Sequence, residues 1–216
     1  MNNILLIVCF FIVGSLIAYF LSKYINNDLK RENIDKYNYI VSLIGGFSYV
    51  LVYLQYHLGV YSILLCLLSS VLLLIAVYDY LSKEIKNSFL LMCGLVCLVI
   101  FIYNVFYLKE QIADYLFSFL VALVFFVGIS LIGKLLFKKE ALGDGDIYLA
   151  CIISIIFKPF AFIVSILIAS LTGSVIEIIK MKINNTGKDM EIAFCPYLCF
   201  GFFVGILFMR EIMNLL

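Results

Sequence analysis

Apolar runs of 11 to 23 residues alternate along this chain with short clusters of charged and polar side chains. A bilayer core about 30 Å thick takes roughly 20 helical residues to cross. On that scale the runs at residues 4–22, 39–56, 61–80, 89–107, 115–137, 147–157, 159–179 and 194–210 predict eight helical membrane segments. The connections between them are short, so successive helices are expected to be antiparallel neighbours. The expected fold is an all-α, polytopic transmembrane bundle forming one integral membrane domain over residues 1–216. The sixth segment is the exception: as a helix, 11 residues reach only about 17 Å. An alternative merges residues 147–179 into one span broken at Pro159.

Basic residues orient the bundle. With the amino terminus outside, the inner loops hold Lys23, Lys30, Arg31, Lys36, Lys83, Lys86, Lys134, Lys138, Lys139, Lys180, Lys182 and Lys188. Only Lys109, Lys158 and Arg210 then lie outside, an asymmetry of 12 against 3. Positive loops stay on the cytoplasmic side. The merged alternative would move Lys180, Lys182 and Lys188 outside and weaken that asymmetry, so eight segments with both termini outside are preferred.

Composition sharpens this picture. The chain is 65% hydrophobic and 13% charged, with a mean hydropathy of +1.16. A soluble domain cannot hide that much apolar surface. The lipid bilayer is therefore an expected partner, and the lack of a basic patch argues against nucleic acid. The first segment has no basic stretch before it and is long enough to span, so it is read as a permanent helix rather than a signal peptide. Seven cysteines fall in apolar segments without C-x-x-C spacing, and they are read as small packing residues rather than metal ligands. His57 is expected in a solvated outer turn.

Two acids do not fit a purely structural account. Asp79 closes the third segment in Val77-Tyr78-Asp79-Tyr80, and Asp146 opens the sixth in Gly143-Asp144-Gly145-Asp146. A carboxylate in or near hydrocarbon is costly and marks a functional site by default. The topology puts both on the cytoplasmic side, where they can face one cavity. Two adjacent carboxyl groups tend to hold a single proton, so one can activate water while the other donates to a carbonyl. The pair thus suggests an aspartyl protease working inside the membrane. Asp146, preceding a helix, is expected to cap it and to be the more often ionised; Asp79, at a helix end, the more often protonated. Gly143 and Gly145 are expected to allow left-handed backbone and close approach to a substrate strand. Asp144 is read first as a solvated loop charge.

At these residues the chain resembles the type IV prepilin peptidases, within the class of G-x-G-D intramembrane aspartyl proteases. The family's first aspartate is followed after five residues by Ile-Pro-Asn; here Asp79-Tyr80-Leu81-Ser82-Lys83-Glu84-Ile85-Lys86-Asn87 keeps Ile85 and Asn87. The second motif, G-x-G-D-x-K-L, is matched by Gly143-Asp144-Gly145-Asp146-Ile147-Tyr148-Leu149. A late Pro-Phe-Gly-Pro-type segment is echoed by Ala193-Phe194-Cys195-Pro196-Tyr197-Leu198, leading to Gly201, and Val13-Gly14-Ser15 is similar to the family's first-helix Gly-Ser. Lys86 stands where the motif has proline, and Tyr148 where it has lysine.

The resemblance implies a bacterial cytoplasmic-membrane endopeptidase that removes the basic leader from prepilin or pseudopilin substrates of type IV pilus or protein secretion systems. Asp79 and Asp146 would be its catalytic pair. Gly143, Asp144 and Gly145 would form the active-site loop, and Ile85, Asn87 and Pro196 would give substrate-side support. It implies no metal: larger members carry a cytoplasmic insert with paired C-x-x-C motifs, and residues 23–38 here are a short cysteine-free loop. No cofactor is expected; S-adenosylmethionine would be required only if methyl transfer is retained. Glu84, Glu140, Asp144, Asp189 and Glu191 share the inner face, where they are read first as ordinary loop charges and second as contacts for a basic leader. Two other readings stay open at this point. Tyr78-Asp79, Gly143 to Asp146 and Pro196-Tyr197-Leu198 also resemble a presenilin or signal-peptide-peptidase pattern, and paired acids would serve a proton-coupled transporter.

Overall fold

A computed structural model describes residues 2–30, 35–137, 142–184 and 193–214. Among them the chain is helical, with no strand. Eight helices follow in order: α1 (Asn2–Asp28), α2 (Asp35–Tyr56), α3 (Val60–Ser82), α4 (Asn87–Ile102), α5 (Ile112–Phe137), α6 (Asp144–Ser154), α7 (Pro159–Asn184) and α8 (Cys195–Asn214). A π-helical turn, Tyr103–Tyr107, extends α4. Each expected segment is present within a few residues, except that α1 runs on to Asp28 and shortens the expected 23–38 loop. Among the described residues six helices are long and apolar enough to cross a bilayer: α1 to α5 and α7. Arg31, Lys138, Lys139, Lys188, Glu140, Asp189 and Glu191, used above for orientation or leader contact, lie outside the described residues.

The sixth segment is a separate short helix, and the merged span is not formed. After Ser154 the chain turns, with the Phe157 N–H on Ser154 O at 3.1 Å. Pro159 then opens α7, where its missing N–H is no loss because the first helical N–H groups lack partners anyway. The freed carbonyl of Phe157 is taken by Ser118 Oγ of α5 at 2.7 Å, which ties this corner into the bundle.

Water cannot drive helices together inside lipid, so association rests on close approach and dispersion. The α1–α2 hairpin shows how: a methyl on Gly14 would sit 2.7 Å from both Gly45 O and the Tyr49 ring, and one on Gly45 would overlap Ala18. The α7–α8 pair uses Gly201, where a methyl would lie 2.7 Å from Ala169 Cβ. Large side chains such as Leu16, Phe20, Leu91, Leu95 and Leu135 point outward, as a lipid-facing surface requires.

Helix α3 is the most enclosed of the long helices and α1 the least. It packs on α1, α2, α4 and α8, while α6 packs on α4, α5 and α8. Contacts α3–α4, α4–α6, α6–α8 and α8–α3 therefore close a ring of four helices, with α3 and α6 at opposite corners. Antiparallel alternation brings the carboxyl end of α3 and the amino ends of α4, α6 and α8 to one end of this ring.

Candidate active site

Asp79 sits one turn before the end of α3 and is 6% exposed. The helix stops just beyond it because Lys83 turns into the left-handed region (φ 56°, ψ 27°), its N–H closing on Asp79 O at 2.7 Å. Ser82 Oγ donates to Tyr78 O at 2.8 Å and takes up another carbonyl of this last turn.

Asp146 lies in the first turn of α6 rather than ahead of it. Gly143 is the N-cap, its carbonyl accepting the N–H groups of Asp146 (3.1 Å) and Ile147 (3.4 Å). The glycines do not serve the expected purpose, because none of the described glycines has positive φ. Gly145 is needed for space instead: a methyl there would lie 3.0 Å from Ile85 Cβ and Cδ1. Ile85, in the α3–α4 connection, thus presses against the α6 backbone next to Asp146.

The third part of the site comes from α8. The backbone N–H of Cys195, first residue of that helix, donates to the Asp79 carboxyl group. Opening N–H groups of a helix have no partner within it, so they are available to an acid from elsewhere. Pro196 follows in the same turn, where it costs no helical hydrogen bond. Asp79, expected to suffer from lying at a helix end, therefore also sits at the start of another helix. The asymmetry expected between the two acids loses its basis, because each now faces the amino end of a helix.

The two carboxyl groups lie near enough for the charge of Asp79 to act on Asp146. Among the described residues, Asp79 Oδ2 and Asp146 Oδ1 are buried and have no hydrogen-bond partner. A buried polar atom left unpaired costs free energy, so each unpaired acid oxygen calls for an explanation.

Aromatic residues bracket the site. Tyr78 donates to Asp28 Oδ2 at 3.1 Å. On the other side, Lys180 Nζ lies 5.8 Å from the Tyr80 ring centroid. It also donates to Glu177 Oε1 at 2.7 Å and to Tyr197 OH at 3.0 Å. These contacts hold the end of α3 and the first turn of α8 against α7.

Of the residues singled out from sequence, Asp79, Asp146, Gly145, Ile85 and the Cys195–Pro196 turn converge. Asn87 and Asp144 do not. Asn87 is exposed at the start of α4, at the mouth of an apolar groove of about 600 Å³ lined also by Leu91, Tyr148 and Ile152. Asp144 is exposed beside Ser130 and Lys134. Glu84 is likewise an exposed loop residue. His57 occupies an exposed turn, as expected. Among the described residues no three His, Cys, Asp or Glu side chains converge as a ligand set. The residue missed from sequence is Cys195, read as packing. The signal was Pro196 beside it, since proline in a first turn marks a start whose preceding N–H is free.

A family model described as the type IV leader peptidase family matches residues 66–178, just over half of the chain. The match runs from the first half of α3 to the second half of α7, and so includes both aspartates, Ile85 and the Gly143–Gly145 loop. Comparisons with curated proteins and with solved structures return no match. With two acids converging at one end of an apolar helical bundle and a family match spanning both of them, the chain belongs to the type IV leader peptidase family and is a membrane-embedded peptidase.

Proposed function

We propose that the protein is an intramembrane aspartic endopeptidase that removes the basic leader from prepilin-like proteins at the cytoplasmic face of the bacterial membrane. The observation that carries this reading is the pair of buried, unpartnered carboxyl oxygens on Asp79 and Asp146. One carboxylate takes a proton from a water molecule, whose oxygen bonds to the scissile carbonyl carbon. The other, protonated, donates to the carbonyl oxygen, giving a tetrahedral diol. Collapse breaks the C–N bond: the first acid gives its proton to the leaving amine while the second takes one back from a diol hydroxyl, so the pair again holds one proton.

The bundle suits such a substrate. A leader with positive charge stays in the cytoplasm, while the apolar helix after it lies in the bilayer. The cleavage point between them falls at the depth of α6's amino end, in keeping with the 12-to-3 asymmetry of basic residues. Lys180 is engaged by Glu177 and Tyr197 rather than directed at an incoming basic leader.

The test is processing of a co-expressed prepilin by the wild type and by the Asp79→Asn and Asp146→Asn variants. The reading requires both variants to be inactive and the cut to map to the leader boundary. Cleavage within the apolar helix would favour a presenilin-like protease, and full processing by either variant would remove the catalytic pair.

A further inference from the structure

The ring of helices poses a problem that the catalytic reading leaves unsolved. Asp79 and Asp146 sit on α3 and α6, at opposite corners of the ring, so something else must set the spacing of the two acids. One polar cluster touches the neighbours of both. Lys86 Nζ lies 2.5 Å from Asp28 Oδ2, the last residue of α1. The same oxygen accepts the Tyr78 hydroxyl at 3.1 Å, and the Lys86 ammonium stands 5.2 Å from the Tyr78 ring centroid. Tyr78 precedes Asp79. On the other side, Lys86 follows Ile85, the side chain that fills the space over Gly145 beside Asp146.

We propose that Asp28 and Lys86 form a latch that positions the catalytic pair, pinning the α3–α4 connection so that Ile85 holds α6 at its working distance from Asp79. This rests on the reading of Asp79 and Asp146 as catalytic. Asp28 and Lys86 are positioning residues, since neither is placed at the reacting atoms. The hydrogen bond to Asp28 also holds the Lys86 ammonium above its ordinary range.

The backbone at Lys86 makes the idea testable in an unusual way. Its φ of −69° and ψ of 133° are those of a proline, and among the described residues its N–H makes no hydrogen bond. Lys86→Pro therefore keeps the loop's path while deleting the cation, replacing an ionic restraint with a covalent one. The latch predicts that Asp28 becomes dispensable in that background.

The experiment measures kcat and KM for cleavage of a peptide carrying a short basic leader and an apolar helix, using the full-length protein in lipid nanodiscs. D28N and K86M are each expected to lower kcat by roughly 10- to 100-fold, the scale of a small misplacement of reacting groups. KM should stay within about twofold, because binding contacts are untouched. The double variant D28N/K86M should be no worse than either single one, the mark of a shared interaction. K86P and D28N/K86P should both cleave at close to the wild-type rate. Additive losses, a change confined to KM, or an Asp28 effect undiminished in the K86P background would each overturn the latch. D79N separates the two ideas: if it cleaves normally, the catalytic reading has failed, whereas an inactive D79N with an unaffected D28N sinks the latch alone.

Discussion

The two ends of the bundle both place polar groups in an apolar molecule, yet they treat their acids differently. At the end away from the aspartates, Glu110 accepts the Tyr115 hydroxyl and lies 3.8 Å from Lys158. Nearby, Tyr56 OH donates to Ile206 O at 2.5 Å and Ser118 Oγ to Phe157 O at 2.7 Å. Asn104 Oδ1 is the atom left over there among the described residues, and it belongs to a neutral amide. At the other end, Asp28 and Glu177 have lysine partners, whereas Asp79 and Asp146 each keep a free oxygen and no basic side chain among the described residues. Acids that hold helices together are neutralised. Among the described residues, the two acids with a buried oxygen left unpaired are the ones the topology brings to the same end of the ring.

The comparison is broken most severely by removing the acids. Asp79→Asn and Asp146→Asn should each reduce prepilin processing by at least about 100-fold, the scale of lost general acid or base catalysis. Thermal unfolding in detergent should not fall, since an amide is cheaper to bury than a carboxyl group that keeps an unpaired oxygen. A variant that loses stability along with activity would mean that the acids serve the fold.

Next in size is the contact that sets the spacing. Gly145→Ala places a methyl 3.0 Å from Ile85, so the neighbour must yield by a few tenths of an ångström. About a tenfold fall in kcat is expected, because geometry at the reacting groups is unforgiving. Ile85→Ala in the same chain should recover part of the loss by reopening the space. No recovery in the double variant would show that Gly145 matters for another reason.

A smaller effect, of another kind, is expected at the opposite end. Tyr115→Phe removes the hydroxyl that meets Glu110, in a side chain that is itself buried. Stability should drop by about 1 kcal/mol, the typical net worth of a hydrogen bond. The smallest is Glu110→Gln, which leaves Lys158 without its charged partner. That pair is about a quarter to a third exposed, so its loss should cost well under 1 kcal/mol. Neither change should alter kcat. A tenfold loss of activity from either would erase the distinction between the two ends.

Much of this was legible in local pattern. The third segment, read at 61–80, is Val60–Ser82, and the seventh, read at 159–179, is Pro159–Asn184. Runs of apolar residues between charges bound a helix because lipid admits the backbone only when its polar groups are paired within the segment. The short sixth helix was legible too, from its length and from Pro159. Asp79 and Asp146 stood out because an acid in an apolar run has no ordinary structural use. Gly145 was noticed for the wrong reason: its φ is unremarkable, and what it supplies is room for Ile85, a residue 60 positions away in the chain.

Hydropathy, charge and a few motifs thus determined how many helices form, where they end and which two acids are out of place. Those properties are local, written in which residues prefer lipid and which prefer water. Only the tertiary structure decided that the start of α8 would supply an N–H to Asp79, that Lys86 would find Asp28, and that α4 and α8 would stand between the two helices carrying the acids. Each of those pairings joins chain-distant groups whose meeting depends on packing angle and depth, and inside lipid packing is set by shape rather than by the polarity that a sequence displays.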